Sequence, residues 1–268
     1  MTAEFVLSQA THSYGAGICA LDRIDLRIET GEHVAIVGAN GSGKSTLLKM
    51  LDGLVFCDSG TLTAFGHELT EESLEEPAFR REFRSRVGFV FQDADVQLFC
   101  NTVFDELAFG PLQLDLAADE VRARADEVTT SLRIAGLLDR APYTLSGGEK
   151  KRVAIAAVLA MRPDVLLMDE PTNALDPRSQ VWLLDVLDEW KKAGRTVVIA
   201  THDLSAAAES CERMIVLSEG HRVVADGTPE EVLSQRDLLL QVNLIHEHAH
   251  RHGEARHVHP HSHAHEHA

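Results

Sequence analysis

The sequence predicts an α/β fold with a mostly parallel core sheet, and three observations carry that expectation. Short, wholly apolar segments recur at residues 34–37, 87–91, 165–168 and 197–200, as strands buried on both faces do. Stretches of helical pattern separate them, the alternation expected of an α/β architecture. A glycine-rich turn follows the first of these strands and leads into a helix beginning near Lys44. At 268 residues, 44% of them hydrophobic, the chain makes one large domain or two small ones. Its core needs neither disulfides nor a structural metal.

Taken from the N-terminus, the first 35 residues read as β structure: Ile24, Leu26 and Ile28 alternate with Arg23, Asp25, Arg27 and Glu29, the period of a half-buried strand. Residues 96–161 are helical in pattern almost throughout, which predicts a helical insertion in the α/β core. Within it, 119–138 has polar and apolar residues at helical spacing, and 153–161 reads as a buried helix that stops before Arg162-Pro163. Ser218-Glu219-Gly220 forms a hairpin turn between strands at 214–217 and 222–225. Thr228-Pro229-Glu230-Glu231 has the form of a capping box with proline at the first helical position, and a last helix is expected to about Leu244. The folded domain therefore spans 1–245, and the histidine-rich segment 246–268 is expected to lack regular structure.

Composition excludes several functions. Twenty-five basic and 42 acidic residues give a formal charge of −17, which opposes nucleic-acid binding and direct docking on an anionic leaflet. Cys19, Cys57, Cys100 and Cys211 form no CxxC pair and suit reduced thiols in the cytosol. The start MTAEFVLSQA has no signal-peptide character. The longest apolar run is nine residues, against about 20 for a bilayer span. The chain is expected to be soluble and tied to a membrane only through a partner protein.

Three segments carry chemistry. Gly38-Ala-Asn40-Gly41-Ser42-Gly43-Lys44-Ser45 fits G-x-x-x-x-G-K-[ST] between an apolar strand and a helix. Its glycines let backbone N–H groups curl around phosphate, Lys44 reaches the β- and γ-phosphates, and Ser45 holds Mg²⁺. The second segment, Val165-Leu-Leu-Met168, delivers Asp169 and Glu170 at a strand's C-terminal edge, where ligands bind in α/β sheets. Asp169 is placed to support the Mg²⁺ shell and Glu170 to polarise an attacking water. The third is Leu145-Ser146-Gly147-Gly148-Glu149, in which Ser146 can cap the next helix while two glycines expose N–H groups at its positive end. Taken alone, this last segment is an ordinary helix cap.

In order, the chain carries the 38–45 loop, Gln92, the 145–149 segment, Asp169-Glu170, Ala174-Leu175-Asp176 and His202. This set resembles the nucleotide-binding subunit of an ABC transporter over roughly residues 4–235. The resemblance implies a P-loop NTPase core of ABC ATPase type, with an N-terminal antiparallel β subdomain and the helical subdomain at about 96–161. It implies ATP and Mg²⁺ as cofactors. Gly38, Asn40, Gly41, Ser42, Gly43, Lys44, Ser45 and Thr46 then cradle the nucleotide, and Tyr14 stacks on adenine. Gln92 reads Mg²⁺ and the transmembrane partner; with Ser45 and Asp169 it completes the Mg²⁺ set. Ser146, Gly147 and Gly148 contact nucleotide bound by the other protomer, and Asp176 links the two sites. Glu170, His202, Gln92 and Lys44 carry hydrolysis. The expected assembly is a head-to-tail dimer with itself or a paralogous ATPase, joined to transmembrane coupling and substrate-binding subunits at the cytoplasmic face of the cell membrane. One motif set opposes a tandem cytosolic ABC protein. The spacing of about a hundred residues between Lys44 and Ser146 opposes a chromosome ATPase, whose halves are split by a long coiled coil.

Residues 87–99, continuing through Thr102-Val103 and 108–112, resemble the energy-coupling-factor type, especially cobalt and nickel importer ATPases. Val96, Met168 and Asn173-Ala174 depart from its usual residues. Phe91, Phe99, Phe104 and Phe109 cluster beside Gln92, either as core of the helical subdomain or as a groove for a membrane partner's short helix. Ten of the fifteen histidines fall in the tail, at His246, His248, His250, His252, His257, His259, His261, His263, His265 and His267. Imidazoles at this density suit Ni²⁺, Co²⁺, Zn²⁺ or Cu²⁺, and the tail is expected to buffer or sense metal beside an importer. A vitamin-type importer leaves the tail ancillary, and a metal-storage or metallochaperone protein leaves the nucleotide motifs without a purpose.

Overall fold

The structure, a computed structural model, describes residues 3–15, 17–173, 175–252 and 255–262, with side chains as far as Ile245. In chain order it comprises β1 (Ala3–Tyr14), β2 (Ile18–Glu29), β3 (His33–Gly38), α1 (Lys44–Leu51), β4 (Ser59–Ala64), β5 (His67–Glu68), α2 (Glu71–Glu75), α3 (Pro77–Arg86) and β6 (Val87–Val90). Then follow α4 (Val103–Gln113), α5 (Ala118–Ser131), α6 (Gly147–Leu159), β7 (Val165–Asp169), α7 (Pro177–Lys192), β8 (Thr196–Thr201) and α8 (Leu204–Ser210). The chain ends with β9 (Arg213–Leu217), β10 (Val223–Gly227), α9 (Pro229–Ser234), α10 (Arg236–Gln241), β11 (Ile245–His252) and β12 (Ala255–Ser262). It divides into two compact units, residues 1–69 with 198–268, and residues 70–197. No helix among the described residues is long and apolar enough to cross a membrane.

In the first unit, β2, β1, β4 and β5 form an antiparallel sheet in that order. The alternation in 23–29 resolves as expected: Ile24, Leu26 and Ile28 are buried, and Leu7 of β1 lies opposite both Leu26 and Leu62. Every residue of β3 is buried, which is why its sequence is apolar without alternation. It runs parallel to β9, from Val34 opposite Arg213 to Gly38 opposite Leu217, and β8 flanks its other side. β9 and β10 make the expected hairpin, closed by Ser218 N donating to Arg222 O at 3.0 Å.

Two endings differ from the sequence expectation. The last helix is two short ones, because Gln235 (φ −83°, ψ 60°) leaves the helical region and its N–H closes α9 onto Val232 O. The tail pairs as an antiparallel hairpin of β11 and β12 where no regular structure is expected. Alternation of histidine with other residues has the period of a strand, so pairing satisfies the backbone that hydration would otherwise serve. Residues 253, 254 and 263–268 lie outside the described residues.

In the second unit, β6 and β7 pair in parallel from Val87 opposite Val165 to Val90 opposite Met168. The expected helical region resolves as α4, α5 and α6. The pattern at 119–138 breaks after Ser131, where Arg133 turns left-handed (φ 53°) and Ile134 N donates to Thr129 O, a Schellman-type end built without glycine. Helix α6 buries Val153, Ala154, Ile155 and Ala156, and it packs so close to β6 that Gly88 admits no side chain. A Cβ there would collide with Val158 Cγ1 and lie 2.9 Å from Pro163 Cγ. Valine is stiff at χ1 and cannot swing aside. Gly88→Ala is therefore expected to cost about 1–3 kcal/mol in urea unfolding, whereas Gly136→Ala, with nothing within 4 Å, should leave the midpoint unchanged or slightly raised.

Candidate active site

The first unit contributes the glycine-rich loop. Gly41 (φ 82°) and Gly43 (φ 105°) are left-handed, and a Cβ on Gly43 would strike the backbone oxygen of Ala20, so the turn demands glycine there. Lys44 is 6% exposed, and its ammonium donates to Gly38 O at 2.8 Å and Ala39 O at 3.1 Å. The loop is thus folded over its own lysine. No side chain caps the N-terminus of α1, and Ser42 is fully buried within the turn. Tyr14 closes β1, 40% exposed, with its ring edge-on to His12 at 4.8 Å. His12 Nδ1 in turn donates to Phe56 O at 2.8 Å. His202, half-buried, follows β8. Next to it, Asp203 Oδ1 accepts from Ser205 N and Ala206 N at 2.9 and 3.0 Å, fixing the start of α8.

The second unit contributes the acids and two loops. Asp169 ends β7 and Glu170 follows it, at 5% and 6% exposure. Glu170 has φ 43°, one of nine non-glycine residues with positive φ among the described residues, a region that L side chains seldom adopt. Ser146 and Glu149 form a reciprocal capping box on α6. Glu149 Oε2 accepts from Ser146 N at 2.8 Å and Ser146 Oγ at 2.9 Å; the backbone N–H first, and then the hydroxyl, hold its carboxyl below the usual range. Asp176 caps α7, accepting from Ser179 N at 3.0 Å and Ser179 Oγ at 2.9 Å, and those bonds depress its pKa. A Cβ on Gly148 would lie 4.0 Å from Asp176 Oδ2, so the 145–149 segment and the acid at 176 are neighbours within one chain. Ala174 lies outside the described residues.

Gln92 is exposed just beyond β6. Behind it, Gln97 Oε1 accepts from Phe91 N at 3.1 Å. The four phenylalanines separate by role: Phe91 packs on Phe89 at 4.5 Å, and Phe104 lies under the Arg122 guanidinium at 5.6 Å. Phe99 and Phe109 meet edge-on at 4.8 Å while staying 66% and 41% exposed. Among the described residues, no group of three or more His, Cys, Asp or Glu is arranged to hold a metal ion. The tail histidines expected to do so have side chains outside the described residues.

Sequence reasoning passed over Lys151, which is 4% exposed and donates to Phe91 O and Gln92 O at 2.9 and 3.0 Å. Burial pulls its pKa down to about 8 against the opposing pull of Asp169, Glu170 and Asp93. The available signal was a lysine on the same helical face as Ala154 and Ile155. His12, two residues from Tyr14 on one strand face, was legible in the same way.

A glycine-cradled loop folded on a lysine, a buried acid pair ending an apolar strand and a serine-capped signature helix define a nucleotide-hydrolysing ATPase. Residues 21–173 match the ABC transporter family, and the chain belongs to that family as an ATPase that uses ATP with Mg²⁺. The chain is 46% identical to the nickel import ATP-binding protein NikO of Rhodobacter capsulatus, covering 91% of this chain and 97% of that one. It is 44% identical to the cobalt import ATP-binding protein CbiO of the same organism, over 91% of this chain and 85% of that one. Among solved structures, cbiO1 of Clostridium perfringens, part of the transporter complex cbiONQ, superposes with a TM-score of 0.77 at 36% identity over 91% of this chain and 96% of that one. The cassette MJ0796, solved as a dimer, gives 0.76 at 30% identity over 84% of this chain and 98% of that one.

The capping box makes a prediction independent of nucleotide. Glu149→Ala should lower stability by about 1 kcal/mol, read as a lower urea midpoint. Because the folded-state pKa of Glu149 is depressed, its contribution is full above the unfolded value and fades as pH falls through the folded one. The gap between wild type and variant should therefore narrow in acid.

Proposed function

We propose that this chain is the ATP-hydrolysing subunit of a membrane importer for a transition-metal ion, nickel or cobalt, acting as a head-to-tail dimer at the cytoplasmic face of the membrane. The observation that carries the hydrolytic reading is Glu170, a buried carboxylate beside buried Asp169 at the C-terminal edge of a parallel strand, where ligands bind in α/β sheets.

The Ser45 hydroxyl, the Gln92 amide and the Asp169 carboxylate are oxygen donors, the set that Mg²⁺ takes, and bound Mg²⁺–ATP supplies the γ-phosphoryl group. Phosphoryl transfer asks the protein chiefly for positioning and charge stabilisation. In this reading the N–H groups of residues 38–46 grip the phosphates, and Lys44 offsets charge developing on the phosphoryl oxygens. Glu170 accepts a proton from the attacking water, His202 and Gln92 orient the reacting groups, and Tyr14 stacks on adenine. Ser146, Gly147 and Gly148 serve the nucleotide of the other protomer, which Asp176 links to this one. Glu170→Gln should reduce steady-state ATP hydrolysis at least about 100-fold while leaving an ATP-bound dimer on size exclusion. Normal turnover by that variant would remove Glu170 from the mechanism.

Exposure of Phe99 and Phe109 as an edge-on pair supports their serving a short helix of the membrane partner. Alanine at either should lower recovery of the membrane complex without changing the ATP affinity of the isolated subunit. Unchanged assembly would reject the role.

The metal cargo is supported by the likeness to nickel and cobalt import ATPases and by the hairpin register, which pairs His246 with His261, His248 with His259 and His250 with His257. Isothermal titration with Ni²⁺ should give binding that mostly disappears on removal of 246–268. Cells expressing the assembled complex should take up radiolabelled Ni²⁺ or Co²⁺. Unaltered ATPase without metal uptake would move the cargo to a vitamin-type substrate.

A further inference from the structure

Beyond Val90 the chain leaves β6, and the backbone of 91–97 needs partners other than the sheet. Two come from the first turn of α6. Lys151 Nζ donates to the consecutive carbonyls of Phe91 and Gln92 at 2.9 and 3.0 Å. The preceding residue, Lys150, places its ammonium 2.5 Å from Asp95 Oδ1. A third anchor is internal, with Gln97 accepting from Phe91 N at 3.1 Å and donating to Phe89 O at 3.4 Å. Gln92 therefore sits between two points of attachment to the turn that begins Ser146-Gly147-Gly148-Glu149.

The choice of residue carries the argument. Lys151 lies on the buried face of α6 beside Ala154 and Ile155, where Leu or Met would pack without the cost of desolvating an ammonium. The charge is held by two hydrogen bonds, whose acceptors are the carbonyls that fix the course of the chain at Gln92, with the carboxylates of Asp169, Glu170 and Asp93 near enough to attract it. An ammonium directs donors tetrahedrally and can serve two adjacent carbonyls, whereas a planar guanidinium fits a carboxylate better. Neither lysine belongs to the residues that grip nucleotide.

We propose that Lys151, with Lys150 as a second point of attachment, is a positioning residue that ties the signature helix to the glutamine loop. A displacement of the 146–149 segment is then carried directly to Gln92, and a displacement of Gln92 by a membrane partner is carried back. The proposal rests on the reading that Gln92 takes part in hydrolysis.

The test is a double-mutant cycle on the purified full chain, with kcat and KM for Mg²⁺–ATP and the thermal midpoint measured for Lys151→Met, Gln92→Ala and the double variant. Lys151→Met should lower kcat about tenfold with KM within about twofold. The double variant should lose no more than Gln92→Ala alone, since both remove the same function. Multiplying losses, or a kcat within twofold of wild type for Lys151→Met, would overturn the tie. Wild-type kcat in Gln92→Ala would instead sink the underlying reading of Gln92, and the tie with it. Should Lys151→Met fail to fold, the Lys150–Asp95 pair decides. Lys150→Glu and Asp95→Lys should each lower kcat, and their combination should restore it. Two singles with wild-type kcat, or a combination no better than either, would overturn the proposal.

Discussion

A buried ammonium must be hydrogen-bonded or it destabilises the fold that encloses it, and this chain meets that demand in the same way in each of its units. Lys44 lies on the carbonyls of Gly38 and Ala39, and Lys151 on those of Phe91 and Gln92. In both places the lysine follows a glycine-containing segment into a helix and closes on the chain leaving a buried strand. Ladder bonding stops where β3 and β6 stop, and the lysine supplies donors to the carbonyls just beyond. Positive charge is thus spent on the protein's own backbone, close to where the reaction needs order.

The same economy explains how a chain of net charge −17 handles a polyanion. Attraction from the whole surface is unfavourable, so in the proposed function recognition falls to short-range groups: backbone N–H at an uncapped helix start, Lys44 and the dipole of α1. Nearly all the negative charge belongs to residues 1–245. The tail carries two arginines against three glutamates, with ten histidines between and around them.

Much of this was legible without coordinates. The apolar segments at 34–37, 165–168 and 197–200 became strands because nothing else buries an unbroken run that short, and Gly41 and Gly43 announced a left-handed turn. The alternation at 23–29 and the hairpin around Ser218-Glu219-Gly220 held for equally local reasons. Helix ends were harder to read. The break at Arg133 has no glycine to announce it, and the one at Gln235 depends on a single ψ angle. Lys151 stayed hidden because a lone lysine in a helical pattern is ordinarily a solvated side chain, and only packing reveals that this one is buried.

The sequence by itself determined the fold class and the order of the phosphate loop, signature and acid pair. Those depend on periodicity, on glycine's conformational freedom and on residue chemistry, all of which act over a few neighbouring residues. Tertiary structure alone decided that Glu170 is strained, that Gly88 is glycine because α6 lies against it, and that Asp176 caps a helix beside Gly148. It also decided that Phe99 and Phe109 stay exposed while Phe91 and Phe104 find partners. The close approaches at Gly88 and Gly148 and the Phe99–Phe109 pair depend on contacts between residues distant in the chain, and no local pattern encodes such a contact.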